Sequence, residues 1–113
     1  MVNEAAKALA DALRASDEYM QFAAAREAAF LKDTTRALYN EYRKLQVCAQ
    51  ADAAAGRQDT GTLEQLRRIG ELLQFDKEAA ELLIAEYRLN SMLGRIYKLL
   101  AEAVEVDLSM LEA

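Results

Sequence analysis

The residue types that most often carry chemistry are scarce in this chain. It contains no histidine and one cysteine, Cys48. That composition excludes histidine-based catalytic triads, HExxH zinc sites and the Glu-x-x-His ligands of di-iron bundles. The loop GRQDTG at 56–61 lacks the lysine and serine that complete a phosphate-binding loop. Carboxylate pairs such as Asp17 and Glu18 have the spacing of a solvated helix face. We therefore predict that the protein is not an enzyme and has no catalytic residue, metal ligand or cofactor.

Two interpretations of Cys48 are open. It continues the apolar stripe of Leu45, which is typical of a small buried hydrophobic side chain. Alternatively, its thiolate lies on an axis between two chains, where two copies share a disulfide or a metal ion. The second interpretation would make the protein a small helical ligand or metal carrier with a site between its subunits, and we keep that function as the alternative.

The composition predicts an all-α fold with a thin core. Strong helix formers dominate, 23 residues are alanine, and no proline is present. A length of 113 residues suits one domain, 1–113, but alanines bury little area each, so a second chain would help to complete the core. We expect an antiparallel helical bundle with a long C-terminal helix, in a dimer.

Charge and hydropathy argue against two classes of partner. A net charge of −5 without a basic cluster disfavours direct binding to nucleic acid and to anionic membranes. No run approaches the roughly 18 apolar residues of a transmembrane helix, and MVNEAAKALADAL lacks the basic leader of a secretory signal. With a single cysteine, these features favour a cytoplasmic location.

Capping residues and apolar spacing predict five helices, although the first two could form one bent helix. Gly56 is expected to end the third helix, and the last is expected to run from Lys77 to about Asp107. The predicted N-caps are Asn3, Ser16, Asp33, Thr60 or Thr62 (the latter in a capping box with Gln65) and Asp76. The predicted inward faces comprise, for the second helix, Tyr19, Phe22, Ala23 and Phe30 with Leu31 as an optional member; for the third, Leu38, Tyr42, Leu45 and Cys48 or Ala49; for the fourth, Leu63, Leu66, Ile69 and Leu73.

The last helix carries two apolar rows and gives the strongest signal in the sequence. The first row has heptad spacing, and the second flanks it from Leu83 to Val104. A helix apolar on this much of its circumference is expected to be buried on two sides. About 31 residues would form a rod of about 46 Å, longer than the roughly 35 Å diameter of a compact globule of this size. The first row is Leu82, Ala85, Leu89, Met92, Ile96, Leu99, Ala103, Val106 and Met110.

These rows predict a homodimer or hetero-assembly built on residues 82–104. Gly94 is either a substitution that the helix merely tolerates or a point where two helices approach closely. Gly70 is expected to mark a frayed or kinked part of its helix. Tyr87, Asn90 and Tyr97 form either the edge of a core or a patch that binds a partner. The predicted interface residues are Leu82, Leu89, Met92, Leu93, Gly94, Ile96, Tyr97 and Leu100.

Two stretches resemble the YlbF/YmcA family of small helical bacterial proteins, which includes the YheA group. The first stretch has a leucine-spaced first helix, a Ser-x-x-Tyr opening, an alanine-rich second helix and an acidic turn; it reads LADALRASDEYMQFAAAREAAFLKDTTRALYNEYRKLQ. The matching positions are Ser16, Tyr19, Ala25 and Asp33. The segment around AEYRLNSMLGRIYKLLAEAV follows the family pattern at Leu82, Ala85, Glu86, Leu89, Asn90, Leu93, Ile96, Leu100, Ala101 and Ala103. The resemblance covers roughly residues 4–105.

The resemblance implies an all-α fold, dimers built on long helices and no known catalysis. It also implies a regulatory adaptor that assembles with partner proteins and influences competence, sporulation, biofilm formation and ribonuclease-dependent mRNA processing. Some members carry C-terminal cysteines that help to hold an iron–sulfur cluster, but the tail VDLSMLEA has none, so that role is not carried over and the mRNA-processing role is weakened. The acidic turns at Asp33 and Asp76 also lack the proline that often follows them in the family.

Overall fold

The computed structural model describes residues 1–105, and these form five helices, as predicted. They are α1 (Val2–Arg14), α2 (Asp17–Phe30), α3 (Asp33–Ala54), α4 (Thr60–Gln74) and α5 (Lys77–Ala103). No strand occurs in this part of the chain. A break at 15–16 separates α1 from α2, so the first two segments are separate helices.

Two predicted N-caps and one predicted helix stop are confirmed. The Ser16 hydroxyl accepts a hydrogen bond from the Tyr19 N–H at 3.2 Å. The Asp76 carboxylate accepts from the N–H groups of Glu78 and Ala79 at 3.1 and 3.2 Å. Gly56 follows the end of α3 with a φ of 74°, the left-handed conformation that favours glycine after a helix.

Three predicted caps were wrong, each by a shift along the chain. The N-cap of α1 is Met1 rather than Asn3, and that of α3 is Lys32 rather than Asp33, neither with a side-chain bond. The N-cap of α4 is Asp59, whose carboxylate accepts from the N–H groups of Gly61 and Thr62 at 2.9 and 3.3 Å. Thr62 is therefore a donor to the cap. Aspartate outcompetes threonine there because its carboxylate interacts more strongly with the positive helix end.

The helices form two antiparallel pairs. One pair is α2 with α5, and the other is the hairpin of α3 with α4. The order of contacts shows that α2 and α5 run in opposite directions, because Ala29 lies in a cluster with Leu82 while Gln21 contacts Arg88. The molecule measures 45 × 37 × 17 Å, and its radius of gyration is 16.6 Å. A compact chain of this length has a radius of gyration of about 13 Å, so the fold is flat and extended.

The core lies where the N-terminal half of α5 meets α2 and α3. Ala29, Tyr39 and Leu82 are buried together, and Phe30 packs edge-to-face on Tyr39 with ring centroids 5.6 Å apart. This arrangement buries a small residue, Ala29, opposite a large one, which lets the helices interdigitate.

The predicted inward faces were wrong at Leu63, and the structure decides two positions that the sequence left open. Leu31 is exposed because α2 ends at Phe30 and the chain turns away. Cys48 is exposed, and the neighbouring Ala49 takes the inward position instead. Leu63 is half-exposed in the first turn of α4, next to the loop that connects α3 to α4.

The long last helix is confirmed but ends earlier than expected. α5 has 27 residues and ends at Ala103, which corresponds to about 40 Å rather than 46 Å. The row positions Val106 and Met110 lie outside the described residues.

Candidate interaction surface

The inward row of α5 changes character along the helix. Leu82 and Ala85 are buried, Leu89 and Met92 are half-buried, and Leu99 is two-thirds exposed. α2 causes this gradient, because its first residue, Asp17, lines a groove with Arg95. Beyond Arg95, α5 extends past the start of α2 by eight residues, about 12 Å. We call residues 96–103 the overhang.

An exposed apolar row runs along the overhang and onto the residue that follows it. Tyr97, Leu100 and Val104 follow i, i+3, i+7 spacing, so they share one face. Their exposed fractions are 61%, 51% and 68%. Such a concentration of large apolar side chains at one helix end is the pattern of a surface that a further helix covers. We call these three residues the outer row.

The predicted interface residues occupy three different environments. Leu82 is fully buried within the chain and offers no surface to a partner. Four others are half-buried: Leu89, Met92, Leu93 and Ile96. Gly94, Tyr97 and Leu100 are exposed. Only these last three are fully available for contact with a second chain, and the interface itself stays a prediction.

Two of the helical glycines, Gly70 and Gly94, lie in opposite surroundings. A Cβ built on Gly70 would lie 3.3 Å from Cε2 of Tyr42, so Gly70 is where α4 approaches α3 closely and not a fray or kink. A Cβ on Gly94 would meet no atom within 4 Å. Any close approach at Gly94 must therefore come from outside this chain.

A polar link between α3 and α5 was missed by the sequence analysis. The Tyr39 hydroxyl donates to the Glu86 carboxylate, which also accepts from Arg43. Burial, followed by the hydrogen bond to Glu86, raises the pKa of the Tyr39 phenol. The sequence held a signal for it, because Tyr39 and Arg43 are spaced i, i+4 and so share one helix face.

A second link joins the beginnings of α3 and α5. The buried Thr35 hydroxyl donates to Asp76 at 2.5 Å, and the Lys32 ammonium lies 3.7 Å from the same carboxylate and 3.1 Å from that of Glu78. The Thr35 hydrogen bond, the Ala79 N–H and the Lys32 charge lower the pKa of the Asp76 carboxyl. In both polar links, a carboxylate of α5 or of its N-cap accepts hydrogen bonds from side chains of α3.

Two exposed side chains flank the second link. Leu31 and Phe75 are 82% and 90% exposed and immediately precede Lys32 and Asp76 in sequence. Neither was predicted to be exposed or functional. Periodicity does not reveal them, because both lie in connections between helices.

An open groove runs along the seam between α2 and α5. Its polar end, roughly 490 Å³, places Asp17 and Glu18 opposite Arg88 and Arg95. Its other end is lined by alanines of α2 together with Ile84. Acidic and basic walls face each other, so the groove has no net preference for an anionic or cationic ligand.

The carrier alternative, whose site would lie between two subunits, stays a prediction. Among residues 1–105, no three His, Cys, Asp or Glu side chains come together in a group that could hold a metal ion. Cys48 is exposed on α3. In the same part of the chain, no helix has the length and apolar character needed to cross a membrane.

Comparison with known proteins identifies the family. A family model described as control of competence regulator ComK, YlbF/YmcA, matches residues 2–105. The chain belongs to the YlbF/YmcA family. The resemblance drawn from its sequence is thereby confirmed, and the family's description is that of a regulator.

Relatives of this YlbF/YmcA chain include bacterial proteins of the UPF0342 group. One from Symbiobacterium thermophilum is 36% identical over 104 residues, which cover 91% of this chain and 93% of the relative. Another from Desulfitobacterium hafniense is 30% identical, with 91% and 84% coverage. A Bacillus stearothermophilus structure titled as a protein of unknown function, DUF964, has a TM-score of 0.75 at 20% identity and 92% coverage of both chains. That likeness shows the shared all-α fold.

Proposed function

We propose that this protein is a non-enzymatic regulatory adaptor of the bacterial cytoplasm that works through helix–helix contacts. It forms a homodimer in which the outer row of α5 contributes to the interface. The observation that carries the proposal is the exposure of Tyr97, Leu100 and Val104 on one face of a helix end. Burial of such side chains is the main driving force of protein association.

The regulatory part of the proposal rests on family membership. The family's description names control of the competence regulator ComK, and we propose a role in bacterial gene regulation of that kind. Sporulation, biofilm formation and ribonuclease-dependent mRNA processing are the further processes that the family resemblance suggests. We do not include an iron–sulfur cluster, because the tail VDLSMLEA has no cysteine.

The non-enzymatic part rests on how the polar groups are used. Asp76 begins α5 and accepts from Thr35, and Glu86 is held by Tyr39 and Arg43. Each is engaged in joining helices. A general acid must donate a proton to the substrate and a general base must accept one from it, whereas these carboxylates accept hydrogen bonds from protein donors.

The dimer is tested with two matched leucine variants. Leu100 and Leu72 are both half-exposed helical leucines, at 51% and 55%, but only Leu100 belongs to the outer row. We expect Leu100→Glu to weaken the dimer about 100-fold or more, because it removes a buried leucine and buries a charge. Leu72→Glu should leave it unchanged. Light scattering gives the mass, and far-UV circular dichroism checks that both variants remain helical.

The adaptor role is tested in the native host. Transcript levels are compared in a strain that lacks the gene and in strains complemented with the native chain, Leu100→Glu or Leu72→Glu. The native chain and Leu72→Glu should restore the transcript levels, and Leu100→Glu should not. A monomeric native chain, or a monomeric Leu100→Glu variant that restores transcription fully, would refute the proposal.

A further inference from the structure

We infer that α1 completes the dimer interface: the apolar face of α1 in one copy packs against the overhang of α5 in a second copy. This inference rests on the proposed homodimer and adds the element that covers the overhang. It assigns a function to the helix that contributes least to the core of its own chain.

The first observation is that α1 is amphipathic but has no buried residue. Val2, Leu9 and Leu13 lie on one face with Ala5 and Ala6, in the spacing of a helix that buries one stripe. Val2 is 83% exposed and Leu13 is only half-buried. A helix of 13 residues is marginal in water without packing. Leu9 is 37% exposed, so the chain itself covers the apolar face of α1 only in part.

The second observation is where α1 is located. Because α2 runs antiparallel to α5 and begins opposite Arg95, α1 precedes α2 at the same end of the molecule as the overhang. Two poorly covered apolar helices thus lie at one end of one chain. Within the overhang, Ala101 is the buried side chain, while Tyr97, Leu99 and Leu100 stay at least half-exposed.

The third observation is the surface area of the chain. It exposes 8625 Å², whereas a folded monomer of its mass, 12.6 kDa, exposes about 6,200 Å². Assigning residues 106–113 the full area of an unfolded peptide, about 1,300 Å², still leaves an excess of about 1,100 Å². A standard interface buries about 800 Å² per partner. The excess matches what one copy contributes to a stable dimer.

The occupant is a second copy because the two surfaces complement each other. A two-fold interface lets α1 of each copy cover the overhang of the other, so both apolar surfaces are buried by a single association. The four elements, two of each kind, form a small helical cluster at the centre of the dimer. Such a cluster has the side-chain packing of a four-helix bundle.

Cross-linking between two different chains tests this contact directly. In a Cys48→Ala background, a Leu9→Cys chain is mixed with a Leu100→Cys chain and treated with a short bis-maleimide. We expect a cross-linked species that contains one copy of each. Replacing Leu100→Cys by Leu72→Cys, on α4, should abolish it. Because each chain carries one thiol, a link within one chain cannot form.

An affinity measurement gives the second readout. Leu9→Glu should raise the dissociation constant of the dimer at least tenfold, because burial of a leucine is lost. Lys7→Glu, on the polar face of the same helix, should leave it unchanged. Circular dichroism of each variant, at a concentration where the monomer predominates, shows whether α1 stays helical.

The outcomes separate this inference from the proposed function. If the native chain is monomeric, both fail. If the native chain is a dimer that Leu100→Glu dissociates, but Leu9→Glu has no effect and no mixed cross-link forms, this inference alone is refuted. A mixed cross-link together with weakened association of Leu9→Glu supports it.

Discussion

Gly94 and Gly70 show how one residue type meets opposite constraints in two helices. Gly70 faces the ring of Tyr42, so a side chain there would press on a packed neighbour. Gly94 faces open space. Glycine inside a helix costs about 1 kcal/mol relative to alanine. Within this chain nothing offsets that cost at Gly94, whereas at Gly70 close packing does.

Substituting the two glycines separates folding from association. In the monomeric Leu100→Glu background, Gly94→Ala should raise the free energy of unfolding by about 0.5–1 kcal/mol. Gly70→Ala should gain less, because Tyr42 must move. In the native background, Gly94→Ala should weaken the dimer, since its methyl group enters the predicted interface. Urea unfolding and analytical ultracentrifugation measure the two effects. An unchanged dimer affinity would remove Gly94 from the interface.

At the scale of elements, α5 is held in place from two sides by different means. α2 covers it with apolar contacts, among them Ala29 on Leu82. α3 reaches it through side chains, at Thr35 with Asp76 and at Tyr39 with Glu86. The Asp76 carboxylate has two roles. It is the N-cap of α5, and it accepts a hydrogen bond from the buried Thr35 hydroxyl.

Asp76→Ala should therefore cost about 2 kcal/mol of stability at pH 7, because it removes a cap and leaves a buried hydroxyl unsatisfied. The pKa of Asp76 is lowered in the folded state, so its contribution is present above the unfolded value of about 3.9. It is lost as the pH falls through the folded-state pKa. The stability difference between the native chain and Asp76→Ala should shrink below about pH 4.

Asp59 supplies the control for that series, because it also accepts two backbone N–H groups as an N-cap but is fully exposed at the start of α4. Asp59→Ala should cost less than Asp76→Ala, since no buried hydroxyl depends on it. Urea unfolding from pH 3 to pH 7 measures both variants. An equal cost for the two substitutions would show that the Thr35 link adds nothing to the cap.

At the scale of the whole molecule, the flat shape limits what one copy can bury. A thickness of 17 Å leaves room for few side chains with no solvent contact, and Leu73 and Leu82 are the large apolar ones among the described residues. A fold with this little core is marginally stable by itself. In the proposed dimer, association would supply part of the stability of the folded chain.

This coupling predicts a melting temperature that depends on protein concentration. A 100-fold increase in concentration should stabilise a dimer by about 2.7 kcal/mol, which corresponds to a rise of several degrees for a chain of this size. The melting temperature of the Leu100→Glu variant should not change with protein concentration. Differential scanning calorimetry over a micromolar range measures it. A concentration-independent melting temperature of the native chain would refute the coupling.

The sequence by itself determined the elements of this protein. Helix formers without proline dictate an all-α fold, and local signals place Ser16, Asp76 and Gly56 at helix ends, because a cap depends on a few neighbouring residues. The spacing of apolar residues also predicted the long last helix, which the structure shows as α5. Where local signals compete, as Asp59 does with Thr62, the prediction shifted by a few residues.

Only the tertiary structure decided which apolar positions stay free. Leu82 and Leu100 are alike in their sequence context, yet one is fully buried and the other half-exposed. The difference arises because α2 and α3 cover the beginning of α5, whereas α2 is too short to cover its end. Likewise, Tyr39 meets Glu86 across 47 positions of the chain. Periodicity shows that a face is apolar, but the lengths and directions of neighbouring helices decide what covers it.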